Sequence, residues 1–182
     1  MTVASLVATA APTVDEIIAA HAALRAKRPL LQALTNTVSS NFAANVLLSV
    51  GASPAMVENP EEAALFAGVA DSVLINLGTP TAAQVESMRL AAAPAQKAGM
   101  PWVLDPIAAG GLPWRGQVAA ELLKFKPAVV RGNASEIIGL AGWAGERAAL
   151  TAPQTRRPRS RPRLICWSTR ERSQLPDLLT MW

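Results

Sequence analysis

The chain has 182 residues, 51 % of them hydrophobic and 16 % charged, with a mean hydropathy of +0.23; this is one globular domain, too short for two and too apolar for a disordered chain. The longest charge-free stretch, residues 29–57, carries Gln32, Thr35, Asn36, Asn41, Asn45 and Pro54, so it cannot be the ~20-residue apolar helix that a membrane span needs. Residues 3–7 are apolar but the first basic residue is Arg25, so no signal peptide is read and a cytoplasmic protein is expected. Cys166 and His21 are single, which excludes an internal disulfide and a multi-thiolate zinc site and leaves any Ser-His-Asp or Cys-His hydrolase dependent on one imidazole. His21 falls in a predicted helix ahead of the first strand and reads as structural.

Charge is spread unevenly. Residues 151–182 hold seven arginines, no lysine and two acids, a net +5, whereas ten basic and eleven acidic residues give 1–150 a net −1. Arg156-Arg-Pro-Arg-Ser-Arg-Pro-Arg163 combines two prolines with crowded like charge, so neither a helix nor a packed strand is expected there. Clustered arginine suits a polyanion, but no aromatic residue is interleaved, and nucleic acid is not the expected partner. The hydrophobic periodicity stops near Gly142. The chain therefore divides into an α/β body over 1–142 and an Arg/Pro-rich tail over 143–182, read as disordered or as a non-native continuation such as a shifted reading frame produces.

Along the body, Thr13-Val-Asp-Glu16 fits a capping box, and Ile17, Ile18 and Leu24 give a helix to about Arg28 an apolar stripe. Leu30–Leu34 is an apolar run ending in Thr35-Asn36; from Ser39, Phe42, Val46, Leu47 and Val50 recur at helical spacing up to Gly51. The unit then repeats. Residues 53–57 are strand-like, and Asn59-Pro60-Glu61-Glu62 opens a helix with a cap, a proline at its first position and acids facing the dipole. Residues 72–77 precede a helix from Gly78-Thr79-Pro80 through Val85, Met88 and Leu90 to Gly99. Residues 102–104 end at Asp105-Pro106 and a glycine-bearing loop, before a helix through Val118, Leu122 and Phe125. Residues 128–130 end in Arg131-Gly-Asn133 and a helix from Ala134 to about Ala141. Five successive β-α units with continuously apolar strands require parallel strands and right-handed crossovers. The predicted fold is α/β, a doubly wound, mainly parallel sheet with helices on both faces.

Such sheets bind ligands outside the carboxyl ends of their strands, where this sequence sets Asn36, Met56, Gly78-Thr79, Asp105, Arg131, Asn133 and Glu136. An arginine suits phosphate, and carboxylates that bind directly or through water suit a cation that keeps several waters; phosphoryl transfer uses such equipment. Each residue also has a purely structural reading. Asn133-Ala-Ser-Glu136 fits a helix cap, and on spacing alone that is the simpler account. Asp105 before proline is a common turn device, Arg131 fits a surface ion pair, and Met56 fits core filler.

The segments Leu34-Thr-Asn-Thr-Val38 with Asn41-Phe-Ala-Ala-Asn45, Gly51-Ala-Ser-Pro-Ala-Met56, Leu74-Ile-Asn-Leu-Gly-Thr79, Val103-Leu-Asp-Pro106 and Val130-Arg-Gly-Asn-Ala-Ser-Glu136, in that order, resemble hydroxyethylthiazole kinase, a thiamine-pathway member of the ribokinase-like fold. The resemblance implies transfer of the ATP γ-phosphoryl group to the alcohol of 4-methyl-5-(2-hydroxyethyl)thiazole with Mg²⁺, in a cytoplasmic homotrimer with sites between subunits. It implies that Asn36 and Met56 bind the thiazole, that Arg131 and Asn133 bind ATP, and that Asp105 and Glu136 serve the metal. The family also has a Gly-Thr-Gly-Cys turn that forms an anion hole. Ile165-Cys166-Trp167 lacks the flanking glycines, so no catalytic residue is assigned and the chain is expected to be a C-terminally incomplete kinase. Losing even one donor of such a hole costs ~10²- to 10³-fold in rate. The other expectation is an inactive module that binds a thiazole, a nucleotide or, through its tail, a polyanion.

Overall fold

The computed structural model describes residues 13–144 and 164–168; residues 3–7 and the arginine run 156–163 lie outside the described residues. The elements are α1 (Val14–Lys27), β1 (Leu30–Leu34), α2 (Ser40–Val50), β2 (Ser53–Ala55), α3 (Pro60–Ala67), β3 (Ser72–Asn76), α4 (Ala82–Ala98), β4 (Trp102–Asp105), α5 (Pro113–Leu123), β5 (Val129–Asn133), α6 (Ala134–Ala144) and β6 (Leu164–Ser168). One sheet runs β2-β1-β3-β4-β5-β6. The first five strands are parallel, as expected, and β6 lies antiparallel on β5, from Val129 opposite Ser168 to Asn133 opposite Leu164. The sequence predicts no strand in the tail. Leu164-Ile-Cys-Trp-Ser168 is nonetheless a short run free of charge and proline, and β5 without it would be an open sheet edge.

Local chemistry sets the helix ends. Thr13 and Glu16 make the predicted capping box on α1, and Asn59 caps α3 ahead of Pro60. A second capping box, Thr81 with Gln84, opens α4 one residue past the predicted Gly78-Thr79-Pro80 start. The sixth helix runs beyond Gly142 to Ala144.

Strand order fixes which face each helix covers. The chain leaves β1 in one direction for β2, then crosses back over β1 to β3 and continues outward to β4 and β5. Right-handed crossovers therefore put α2 on one face and α3, α4 and α5 on the other. Packing agrees: α3 touches α4, α4 touches α5 and α5 touches α6, while α1 touches α2. The core lies under the larger layer. Val73 and Ile75 of β3, Trp102 and Leu104 of β4 and Val130 of β5 meet Val85, Met88, Ala91 and Ala95 of α4, Val118 and Leu122 of α5 and Leu140 of α6. Trp102 also donates its indole N–H to the Phe125 carbonyl at 3.1 Å, so its one polar atom is satisfied on burial. Neither α1 nor α2 buries a residue completely, and Ile18, Phe42 and Leu48 are exposed. The apolar stripe read on α1 thus reaches water at Ile18.

The loop after β4 lies directly on α6. A Cβ on Gly139 would meet the backbone of Gly110, and one on Gly110 would come within 2.7 Å of the Ser135 carbonyl oxygen. Backbone cannot move aside as a side-chain tip does. Gly139→Ala is expected to lower the urea unfolding free energy by about 1–3 kcal/mol, the range for overpacking, and an unchanged unfolding midpoint would show that the loop has room.

Candidate active site

Register brings the polar residues into a row. Asn76 ends β3 directly opposite Asp105, which ends β4. Leu104 stands opposite Val130 on β5, so one residue further along Arg131 follows as the neighbour of Asp105. Because side chains alternate along a strand, Asn76, Asp105 and Arg131 share the face opposite to Ile75, Leu104 and Val130. The buried core of one face thereby sets the polar row of the other.

Hydrogen bonds join the row. Arg131 donates from Nη1 to Asp105 Oδ2 at 2.7 Å, and Asn76 donates from Nδ2 to the same oxygen at 2.9 Å. Asn36, just past β1, donates from Nδ2 to Asn76 Oδ1 at 3.0 Å. Three predicted site residues, Asn36, Asp105 and Arg131, thus form one connected series through Asn76, a residue to which the sequence assigns no role. Gly78 makes the approach possible, since a Cβ there would stand 2.5 Å from the Asn36 Cβ.

The turn that carries Asn36 is braced separately. Glu58, beyond β2, accepts the Thr35 N–H at 2.8 Å and the Gln84 side-chain amide at 2.9 Å. Ser87 donates its hydroxyl to the Glu58 carbonyl at 2.7 Å. Thr37 donates its N–H to the Thr79 hydroxyl at 2.9 Å, which ties the loops after β1 and β3 together. Glu58 is likewise unassigned in the sequence.

At the other end, Asp105, Ile107, Arg131, Gly132, Asn133 and Glu136 line a cavity of about 210 Å³. That is below the ~300 Å³ at which small-molecule pockets begin, and it suits a phosphate group with a hydrated cation better than a whole nucleotide. Glu136 is committed on both oxygens: Oε2 accepts the Asn133 N–H at 2.9 Å and Oε1 accepts the Ala108 N–H at 3.2 Å. With the Glu136 N–H bonded to Asn133 Oδ1 at 3.0 Å, this is the helix cap that the spacing allows. It also clamps the loop after β4, where Ala108 takes the left-handed conformation with φ 60°, a strain of ~1–2 kcal/mol for a residue with a Cβ. Met56 follows β2 at the far end of the crevice. Its strand lies four places from the Arg131 strand in the sheet order, and among the described residues no hydrogen bond joins it to the row.

Asp105 is 4 % exposed. Burial raises its carboxyl above the usual range, and the Glu136 charge adds to this, while Arg131 and the Asn76 amide oppose it without cancelling it. Arg131, whose side chain is half exposed, spends only Nη1 on this pair, which leaves most of its fork of N–H donors for a ligand anion. Asp105 Oδ2 takes both donors, so Oδ1 is the oxygen left over. Among the described residues no three His, Cys, Asp or Glu side chains gather as a metal cage. Two carboxylates beside an arginine still match a hard cation that binds through one or two carboxylates, several waters and a phosphate.

A family model described as the hydroxyethylthiazole kinase family matches residues 21–157. Hydroxyethylthiazole kinase of Rhodococcus erythropolis is 53 % identical over 134 residues, which are 74 % of this chain and 48 % of that protein. Its namesake from Acinetobacter baumannii is 52 % identical over 130 residues, 71 % of this chain and 47 % of that protein. The solved hydroxyethylthiazole kinase protein of Pyrococcus horikoshii superposes with a TM-score of 0.68 at 40 % identity, over 71 % of this chain and 51 % of that one. The chain spans about half the length of the curated relatives it matches.

The raised Asp105 pKa has a stability consequence. A group that holds its proton more tightly when folded contributes stability below its unfolded pKa, near 3.8, and loses it as pH rises through the folded value. Asp105→Asn is therefore expected to melt at or above the wild-type temperature at neutral pH, with its relative advantage growing upward from about pH 4. Thermal melts from pH 3 to 8 check this; a variant that loses ground as pH rises would show that the Arg131 pair outweighs burial.

Proposed function

The chain belongs to the hydroxyethylthiazole kinase family, and on that premise we propose that it serves transfer of the ATP γ-phosphoryl group to the hydroxyl of 4-methyl-5-(2-hydroxyethyl)thiazole, in thiamine biosynthesis or salvage in the cytoplasm. One observation carries the reading: an unbroken series of side-chain hydrogen bonds runs from Asn36 through Asn76 and Asp105 to Arg131. It links the residue that suits a small polar heterocycle to the one that suits a phosphate. The cavity beside Arg131, lined also by Asp105, Asn133 and Glu136, suits the phosphate end of such a nucleotide.

In this reading Asn36 and Met56 face the thiazole, the amide supplying polar contact and the thioether a soft apolar surface. Arg131 pairs with ATP phosphate oxygens through the N–H groups it does not spend on Asp105, and Asn133 lines the same cavity. Asp105 and Glu136 are the carboxylates that would hold magnesium, which when bound would neutralise phosphate charge. Glu136 acts twice, because its bonds to Asn133 and Ala108 also hold the cavity walls in place. A homotrimer belongs to the proposal as well. Val38, in the turn before α2, and Phe42, in its first turn, are 87 % and 73 % exposed, and two apolar residues so open to water support a subunit contact at the start of α2. Among the described residues no helix is long and apolar enough to cross a membrane.

Calorimetry with the full chain tests the reading. Mg·ADP and the thiazole alcohol are each expected to bind saturably, and ADP is expected to form from ATP only when the alcohol is present and at a rate well below that of a full-length relative. Arg131→Ala is expected to weaken Mg·ADP about ten- to a hundredfold, the loss of one or two charge-assisted hydrogen bonds, while the alcohol binds within threefold of wild type. A wild-type chain that binds neither ligand would overturn the proposal.

A further inference from the structure

Asn76 stands between the two halves of the crevice, and the direction of its bonds is fixed by chemistry. A backbone N–H can only donate, so the Asn76 atom that faces the Gly78 N–H at 2.9 Å is the oxygen. Its nitrogen is then the atom 2.9 Å from Asp105 Oδ2. The same logic holds one step back. The Ser39 N–H donates to Asn36 Oδ1 at 2.9 Å, so Asn36 presents its nitrogen to Asn76. Two backbone amides, one opening α2 and one following β3, thereby set the sense of the whole series. If the Asn76 amide turned over, two donors would face its nitrogen and two acceptors would face each other beside Asp105.

This order explains why an amide stands at position 76. An aspartate would keep the acceptor half, toward Asn36 and Gly78, and would set a second carboxylate against Asp105. A leucine would keep the shape and satisfy neither side. Only a group that accepts on one edge and donates on the other joins a neutral amide to a buried carboxylate. Its neighbour Asp105 is directly in register with it across the β3–β4 pair, so the backbone ladder already holds the two Cα atoms at a fixed separation. What Asn76 adds is the rotamer on each side: Oδ2 of Asp105 is turned inward to accept, and the Asn36 amide is turned toward β3.

From this we infer that Asn76 is a positioning residue of the proposed kinase site. Its amide holds the alcohol-side Asn36 and the phosphate-side Asp105 in one fixed relation, touching neither the transferred group nor the metal. The inference rests on the functional reading above and adds a residue to it.

Two variants of the full chain test it by calorimetry, with Mg·ADP and the thiazole alcohol titrated separately and thermal melts to verify folding. Asn76→Asp breaks only the donor half, so Mg·ADP affinity is expected to fall tenfold or more while the alcohol affinity stays within threefold. Asn76→Ala, which introduces no charge and serves if the aspartate variant does not fold, breaks both halves, and both affinities are expected to fall at least threefold. A residue that merely supports the fold would lower the melting temperature and move both affinities together in Asn76→Asp. That result, or an Asn76→Ala chain that keeps both affinities within twofold, overturns the inference while leaving the functional reading in place. A wild-type chain that binds neither probe overturns the functional reading, and the inference with it.

Discussion

A carboxylate that is 4 % exposed at the end of a parallel strand is the constraint from which the rest of this site follows. Removing Asp105 from water disfavours its charge, and two donors converging on one oxygen restore only part of that cost. The geometry of those donors is set elsewhere. A slip of β4 by one residue would turn Asp105 to the other face and take Trp102 and Leu104 out of the core. The core cluster that buries Trp102, Leu104 and Ile75 therefore holds Asp105 beside Asn76 and Arg131 as firmly as any bond within the row. The indole hydrogen bond to Phe125 adds a second lock on the same strand. Hydrophobic burial on one side of the sheet is spent as precision on the other.

The neighbouring loop depends on a different device. Residues Pro106 to Leu112 turn back through backbone hydrogen bonds, including Ala109 to the Pro106 carbonyl and Gly111 to Ala108, and the strained Ala108 is held by Glu136. Glu136 comes from the first turn of α6, and α6 in turn touches the loop where Gly139 meets Gly110. Loop and helix are thus one packed unit, fastened at its open end by a carboxylate and at its closed end by the absence of two side chains. A helix cap and a cavity wall are the same three hydrogen bonds here, so the structural and functional accounts of Asn133 and Glu136 are not alternatives.

Much of this was legible before any coordinates. Strand-like runs alternating with capped helical segments give a parallel sheet, and a parallel sheet gathers whatever polar residues end its strands. That logic brings Asn36, Asp105 and Arg131 together from sequence positions 95 residues apart. Asn76 carries no signal of its own because it lies inside the run 72–77, which reads as nearly all apolar, and only the register with Asp105 reveals that the one amide in it points to the polar face. The pattern consistent with it is the alternation Val73, Ile75, Leu77 on one side and Leu74, Asn76 on the other. Glu58 is hidden for another reason: its partners Thr35 and Gln84 lie 23 and 26 residues away, and no local pattern encodes a brace between a strand end and a helix start. The sequence pattern ends β5 three residues early, because Arg131-Gly-Asn133 reads as a turn, whereas β6 lends it ladder partners as far as Asn133.

The uneven layering of the sheet decides from which side the row can be reached. Four helices, α3 to α6, seal the face that carries Ile75, Leu104 and Val130, with Ala91, Ala92, Ala95 and Ala119 admitting close backbone approach and no solvent. Among the described residues the opposite face has only α1 and α2, of which α2 sits against the edge strand β2. Over β3 and β4 that face keeps Leu74, Val103 and Asn76 only partly covered. Asp105 is buried there, and Arg131 beside it remains half exposed. A ligand that approaches the carboxyl edge from the α2 side meets the arginine first and the carboxylate behind it. That order suits an anion that must be captured before it is aligned, because the exposed guanidinium acts at longer range than a buried, paired carboxylate can.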